Sequence, residues 1–427
     1  MKNLSIFLVS ICLTLLLANP DARAESSLEE GFKAMKAQFT VMQTRVEKLE
    51  ATVQSQQKQI TAQEETKQVY ENRIHELEEK LANADAGNAQ PVASVVPPKT
   101  QWLPEIGVVG DVVYTQNSSK EDTEGSDRVS LRELELVFGS NVDPYSRLDA
   151  TISFSDTEDP SLEEAYLTRF GLPFETTARL GKFKPKVGKV LGVHRDSLDT
   201  VDEPLVIQEY FGAEGMNKSG LDFTKQLDLP WPVTQQVTFG VLEGGNGEGG
   251  TAFGDTRRRP TVYSHLKNYV DLNDTTGLEL GLSHMIGSRD EDSSFEVQVL
   301  GSDVTLTHHF NANQNMKLQG ELFNLNRRET KDFDGNIWGG YALADYRFHP
   351  QWSTGFRYDY VQPVDNNRSE NPEKEDTGYT GYLTYYQSEF ARWRLQFTHK
   401  DMITGKDDNA VYLQGTFAIG THKHKLQ

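Results

Sequence analysis

The sequence predicts an all-β transmembrane barrel of about 16 antiparallel strands, preceded by an α-helical coiled coil. Three observations lead there. Short runs of alternating apolar and polar side chains fill the chain from residue 104 onward, every second connection between them is short, and a long heptad repeat comes first. Period-two alternation marks a strand whose two faces meet unlike surroundings. Short turns at one end and long polar loops at the other are the pattern of a transmembrane barrel, whereas a soluble sandwich gives no reason for them to alternate.

The N-terminus reads as a secretory signal peptide, residues 1–24. Lys2 supplies a basic start, Leu4 to Leu17 is apolar, and Ala22-Arg23-Ala24 is a small-x-small cleavage site. The single cysteine, Cys12, lies inside that segment, so the mature chain has no thiol with which to form a disulfide. No later stretch is a candidate membrane helix, so integral membrane insertion requires a closed barrel. A mean hydropathy of -0.58 is compatible with one, because only alternate residues of a barrel strand face lipid. The net charge of -20 excludes a basic nucleic-acid surface.

Residues 25–82 are expected to form the coiled coil. One seam runs through Phe32, Phe39, Val46, Val53, Ile60, Ile74 and Leu81, and the other through Met35, Met42, Leu49, Tyr70 and Leu77. Gln56, Gln63 and Lys67 interrupt these seams, which costs stability and helps to fix register. A stripe this narrow and roughly 80 Å long needs a partner helix to bury it, so the chain is expected to be an oligomer. The seam composition leaves strand number open; a homotrimer is favoured by the expected barrel. Residues 83–103, with Pro91, Pro97 and Pro98, read as an extended linker.

The barrel is assigned to residues 104–427. Strands are expected at 105–115, 129–140, 145–155, 161–170, 174–183, 213–226, 234–243, 260–270, 276–286, 295–309, 314–326, 336–348, 351–361, 377–388, 391–400 and 410–420. Long polar loops are expected at 116–128, 184–212, 244–259, 326–335 and 362–376, among others. Faces follow from the alternation. Ala391, Trp393, Leu395 and Phe397 oppose Arg392, Arg394, Gln396 and Thr398, and Leu134, Leu136 and Phe138 oppose Glu133 and Glu135. So polar an inner face implies a wet lumen or ligand channel instead of an oily core. Tyr358, Tyr360, Tyr379, Tyr382, Tyr385, Tyr386 and Trp393 are candidates for interfacial aromatic girdles.

The 29-residue connection from Lys184 to Gly212 is too long for a simple link and carries enough apolar residues to fold against the barrel mouth or lumen. It is expected to constrict the pore, its basic start favouring anions. Pore-lining or constriction candidates are Arg147, Arg179, Lys182, Lys184, Lys186, Lys189, Arg195, Arg357, Arg392 and Arg394, with Glu133, Glu135, Asp149 and Glu321 as acidic counterparts. Arg257-Arg258-Arg259 reads mainly as a solvated charge run. His308-His309 and His422-x-His424 lack a third ligand, so no metal site and no cofactor are expected. The run Gly244–Gly250 lacks the Gly-Lys-Ser/Thr of a phosphate loop, and no catalytic triad or hydrolase motif has its context, so no enzymatic activity is expected.

Ala165-Tyr166-Leu167 followed by Ala178-Arg179-Leu180-Gly181-Lys182-Phe183-Lys184-Pro185, with the long connection just beyond, resembles the phosphate-selective porin superfamily in its broad sense. The ending Leu413–His422 is similar to the last strand of porin-like relatives. The resemblance implies a trimeric outer-membrane porin that passes small solutes by diffusion, with the coiled coil in the periplasm of a Gram-negative cell. Its partners would be outer-membrane lipid, lipopolysaccharide, the transported solutes or ions and, through the helix, peptidoglycan. This chain shows no evident lysine or arginine ladder, and it ends in Gln427 instead of an aromatic residue. A tether between outer membrane and cell wall, and a receptor for a metal complex or siderophore, stay open as alternatives.

Overall fold

The structure, a computed structural model, describes residues 104–118, 127–156, 159–213, 215–244, 252–253, 259–289, 295–330, 333–364, 375–403 and 408–420. The expected signal peptide, coiled coil and linker, Arg257 and Arg258, and His422 and His424 lie outside them.

Sixteen strands follow one another around a closed ring. They are β1 (Glu105–Asn117), β2 (Arg128–Asp143), β3 (Ser146–Phe154), β4 (Ser161–Leu172), β5 (Thr176–Phe183), β6 (Lys218–Leu227), β7 (Thr234–Leu242) and β8 (Thr261–Asn273). They continue as β9 (Thr276–Ser288), β10 (Glu296–Asn311), β11 (Gln314–Thr330), β12 (Phe333–His349), β13 (Trp352–Val361), β14 (Asp376–Ser388), β15 (Ala391–Asp401) and β16 (Asp408–Gly420). Each pairs antiparallel with its neighbours in sequence, and β1 closes on β16 through Gly107 opposite Gly420 and Asn117 opposite Ala410. Closure satisfies the backbone of both edge strands, which a sheet in hydrocarbon requires. Both ends of the ring lie on the side of the short turns.

Alternation sorts the side chains as expected. Leu395 and Phe397 are 52% and 50% exposed on the outer face, while Arg392 and Arg394 are 3% and 2% exposed inside. Leu148, Leu180, Leu282, Leu300, Leu322, Phe356, Leu413 and Ile419 extend the apolar exterior around the ring.

Four expectations change. The 326–335 loop is largely strand: β11 and β12 are 17 residues each, and Arg327 and Arg328 pair with Gly335 and Asp334. The segment is polar, yet backbone pairing does not depend on side-chain polarity. Next, residues 213 and 215–217 belong to the connection, since β6 begins at Lys218. Tyr382 and Tyr386 turn inward and are buried, Tyr382 donating to Asp345 at 2.8 Å, so neither belongs to an outer girdle. Finally, the interior is not polar throughout. Val297, Val299, Phe323, Leu325, Ile337, Tyr341 and Leu343 point inward and join a buried apolar cluster with the long connection.

Away from the β2–β3 turn, two β-bulges interrupt the ladder on the β1–β4 wall. Register shifts past Arg132 between β1 and β2, and past Glu163 between β3 and β4. An inserted residue breaks the strict in-out alternation. As a result, Glu163 and Glu164 are adjacent in sequence and both buried.

Candidate functional site

The connection between β5 and β6 folds back into the bore instead of standing above it. Its first part is anchored to the β9–β12 wall. Glu321 accepts the backbone N–H groups of Lys189 and Val190, both at 2.9 Å, and the hydroxyl of Tyr341 at 2.9 Å. Gly188 makes this approach possible: its φ is +62°, and a Cβ there would collide with the Glu321 carboxylate. The Lys189 ammonium meets Glu279 and, at 3.2 Å, Asp303.

The chain then crosses to the opposite wall, where His194 sits among four glutamates. Its Nδ1 lies 3.0 Å from Glu135 and 3.1 Å from Glu163, and its Nε2 lies 3.0 Å from Glu164. Burial opposes a charge on the imidazole, but the Glu135 carboxylate and the hydrogen bonds to Glu135, Glu163 and Glu164 outweigh it and raise its pKa well above the usual range. Glu133 stands beside this group and accepts a hydrogen bond from Ser153 at 3.3 Å.

From Asp196 to Asp202 the backbone lies against inward arginines. Arg392 donates to the Asp196 carbonyl, Arg394 to that of Leu198 at 3.0 Å, and Arg357 to that of Asp202 at 2.7 Å; Arg132 donates to that of Val201. Gln396 accepts the Val201 N–H and donates to the Asp202 carboxylate, each at 2.7 Å. Lys317, across the bore on β11, bonds Asp199 at 2.7 Å. Arg357 also pairs with Asp359 at 2.7 Å and Asp202 at 3.3 Å. The segment therefore spans the lumen, touching β2 and β15 on one side and β11 on the other.

A short helix, α1 (Leu205–Phe211), follows with Leu205, Val206, Ile207, Tyr210 and Phe211 all buried. It packs on β12–β14. A Cβ on Gly339 would stand 2.6 Å from Val206 Cγ2, so the wall there must be bare. Phe211 meets Phe323 edge-on at 5.4 Å. Beyond the wall strands, the Val364 N–H donates to Glu209 at 2.8 Å.

The predicted residues thus divide into groups. Lys184, Lys186, Lys189 and Arg195 ride on the connection itself, Arg195 pairing with Glu203 at 3.3 Å. Arg357, Arg392 and Arg394 face inward and hold its backbone. Arg179 is engaged by Asp222 at 2.5 Å and lies over the Phe183 ring at 4.3 Å. Arg147 joins Asp149 at 3.0 Å and Glu105 at 2.8 Å near the short turns. Lys182 departs from expectation. It shares the outward register of Ala178 and Leu180 and bonds the Leu162 carbonyl at 2.7 Å, because strand alternation puts it on the face opposite Arg179. His308 and His309, being adjacent in β10, fall on opposite faces; His308 bonds Thr276 at 2.8 Å.

Sequence reasoning missed Glu163, Glu164, His194, Asp111, Arg132 and Asp222. The signal for the first two was present: consecutive carboxylates in an alternating strand require either a bulge or a charge on the apolar face.

No protein-family model matches the chain. An uncharacterized protein of Aquifex aeolicus (strain VF5) is 27% identical over 331 residues, 69% of each chain. Among solved structures, the anion-selective porin from Comamonas acidovorans aligns with a TM-score of 0.51 at 10% identity, covering 74% of this chain and 99% of that one. OmpT of Vibrio cholerae in its trimer form gives 0.50 at 11% identity, covering 74% and 99%. OprB of Pseudomonas putida gives 0.50 at 9% identity, covering 74% and 94%. These similarities show the fold, a sixteen-stranded barrel of the outer-membrane porin type.

Proposed function

We propose that the chain is a passive, non-enzymatic outer-membrane channel for small hydrophilic solutes or ions, narrowed by residues 184–217. One observation carries this reading: a segment pinned to opposite inner walls of a closed barrel whose exterior is apolar. A barrel with an oily outside and charged inside belongs in a bilayer, and a segment across its bore sets what passes. The phosphate ladder of the resembled superfamily would need inward cations free to meet solute. Arg179, Arg357, Arg392 and Arg394 instead meet carboxylates or backbone carbonyls, which argues for a general channel over a phosphate-selective one.

The domain plan extends the proposal. After removal of residues 1–24, the heptads of 25–82 join three copies in the periplasm of a Gram-negative cell, 83–103 act as spacer, and the barrel of 104–427 contacts lipid and lipopolysaccharide. The trimer form of OmpT is consistent with such an assembly. The length of the heptad segment also favours a second reading, a tether that reaches peptidoglycan.

Folded protein in planar bilayers is expected to give stepwise conductance, with reversal potentials in a salt gradient reporting ion preference. Correctly folded barrels that insert without conducting would overturn the channel reading. Retention of the chain on purified cell wall, lost on removing residues 25–82, would support the tether.

A further inference from the structure

The His194 cluster carries more charge than a loop anchor needs. A protonated imidazole has two N–H donors, both in the ring plane. One serves Glu164 from Nε2, and Nδ1 faces Glu135 and Glu163 at 3.0 and 3.1 Å, so a single proton stands between two carboxylates. Glu133 adds a further carboxylate against Glu135 and Glu163. It is 5% exposed, and its Oε2 has no hydrogen-bond partner. A buried carboxyl oxygen without a partner is costly, and either a proton shared with the neighbouring Glu163 or a cation can meet it.

Among the described residues, Glu135, Glu163 and His194 bring their ligand atoms within 4.8 Å of one another. Ligands about 2.1 Å from one ion stand roughly 3.0–3.4 Å apart in octahedral or tetrahedral arrangement. The separations at Nδ1 match that spacing. From this geometry we propose a divalent transition-metal site, with His194 Nδ1 and carboxylate oxygens of Glu135 and Glu163 as ligands and the Glu133 carboxyl beside them. One imidazole with carboxylates suits Zn²⁺ or Mn²⁺, whereas Ca²⁺ and Mg²⁺ prefer oxygen alone. Binding displaces the Nδ1 proton to solvent, while the Nε2–H stays on Glu164 and orients the ring. The bulge at Glu163 supplies the extra inward carboxylate, and the ion joins the connection to β2 and β4. This site does not depend on conductance.

The test uses full-length protein folded in detergent, stripped with EDTA, loaded with ZnCl₂ or MnCl₂ and desalted. Elemental analysis is expected to find one ion per chain, little Ca²⁺ after parallel loading, and at least a tenfold loss in Glu133→Gln/Glu163→Gln. The single Glu133→Gln, which removes the carboxyl's capacity for charge and keeps an oxygen for Ser153, is expected to weaken binding at least tenfold while the barrel keeps its heat-modifiable migration. Fewer than 0.1 ion per chain in the unaltered protein, on the order expected of no site at micromolar affinity, would overturn the assignment. So would equal retention by the double variant, which would place binding on other histidines, or retention of Ca²⁺ alone.

Discussion

The connection inside the bore is held by two unlike surfaces. Residues 187–191, 205–213 and 215–216 bury Val187, Leu191, Val206, Ile207, Phe211 and Met216 against apolar side chains of β8–β14. Residues 194–202 instead meet His194's glutamates and the guanidinium groups of Arg132, Arg357, Arg392 and Arg394. Apolar burial is non-directional and tolerates sliding, whereas charge-assisted hydrogen bonds fix register and fail sharply when one partner is lost. The charged half thus fixes where the chain crosses the bore, and the apolar half supplies adhesion.

The largest break in this comparison comes from Arg357→Ala. It leaves the buried Asp359 carboxylate without its cation and Asp202 with only Lys400 and Gln396, a loss of about 3–5 kcal/mol. Hydrogen exchange at residues 198–203 is expected to accelerate at least a hundredfold while residues 205–211 stay protected. Equal acceleration of both would mean that the halves open as one unit. Ile207→Ala sharpens the opposite side, with an expected loss of about 2–4 kcal/mol confined to 205–211. Exchange at 198–203 is expected to change less than threefold.

Acid gives the smallest effect. Burial alone would raise Asp199 and Asp202, but Lys317 beside the first and Arg357 and Lys400 beside the second hold both carboxyls below the usual range. A carboxyl held low in the fold contributes stability that is complete above its unfolded value of about 4 and is lost as pH falls through the lowered one. Pepsin cleavage within 198–203 is therefore expected to be absent at pH about 4 and to appear on further acidification. Cleavage within 205–211 is expected not to follow. Cleavage of both segments in the same step would remove the distinction.

The barrel itself was legible because alternation is a local property, readable at Ala391–Thr398 without knowing any neighbour. The inward direction of Arg357, Arg392 and Arg394 followed from the same rule, whereas a folded task for residues 184–212 was read from the connection's length and apolar content. Their partners did not follow. A guanidinium that bonds a backbone carbonyl 196 residues away leaves no complementary charge in the sequence. Nor did the apolar lining. Val297 and Val299 face inward beside outward Leu300, and a strand apolar on both faces has no period to read. Glu163 is hidden because its bulge shifts alternation by one residue, and Lys182 faces outward because its register on β5, not its place in a run of lysines, sets its side.

Strand length leaves one further mark on the surroundings. At about 3.4 Å per residue and a tilt near 40°, the eight residues of β5 rise about 21 Å, whereas the seventeen of β11 rise about 44 Å. The hydrocarbon band beside such a barrel is about 25 Å tall. In the bilayer of the proposed function, that band would overtop β5 by about 4 Å, whereas β11 would overtop the band by about 19 Å.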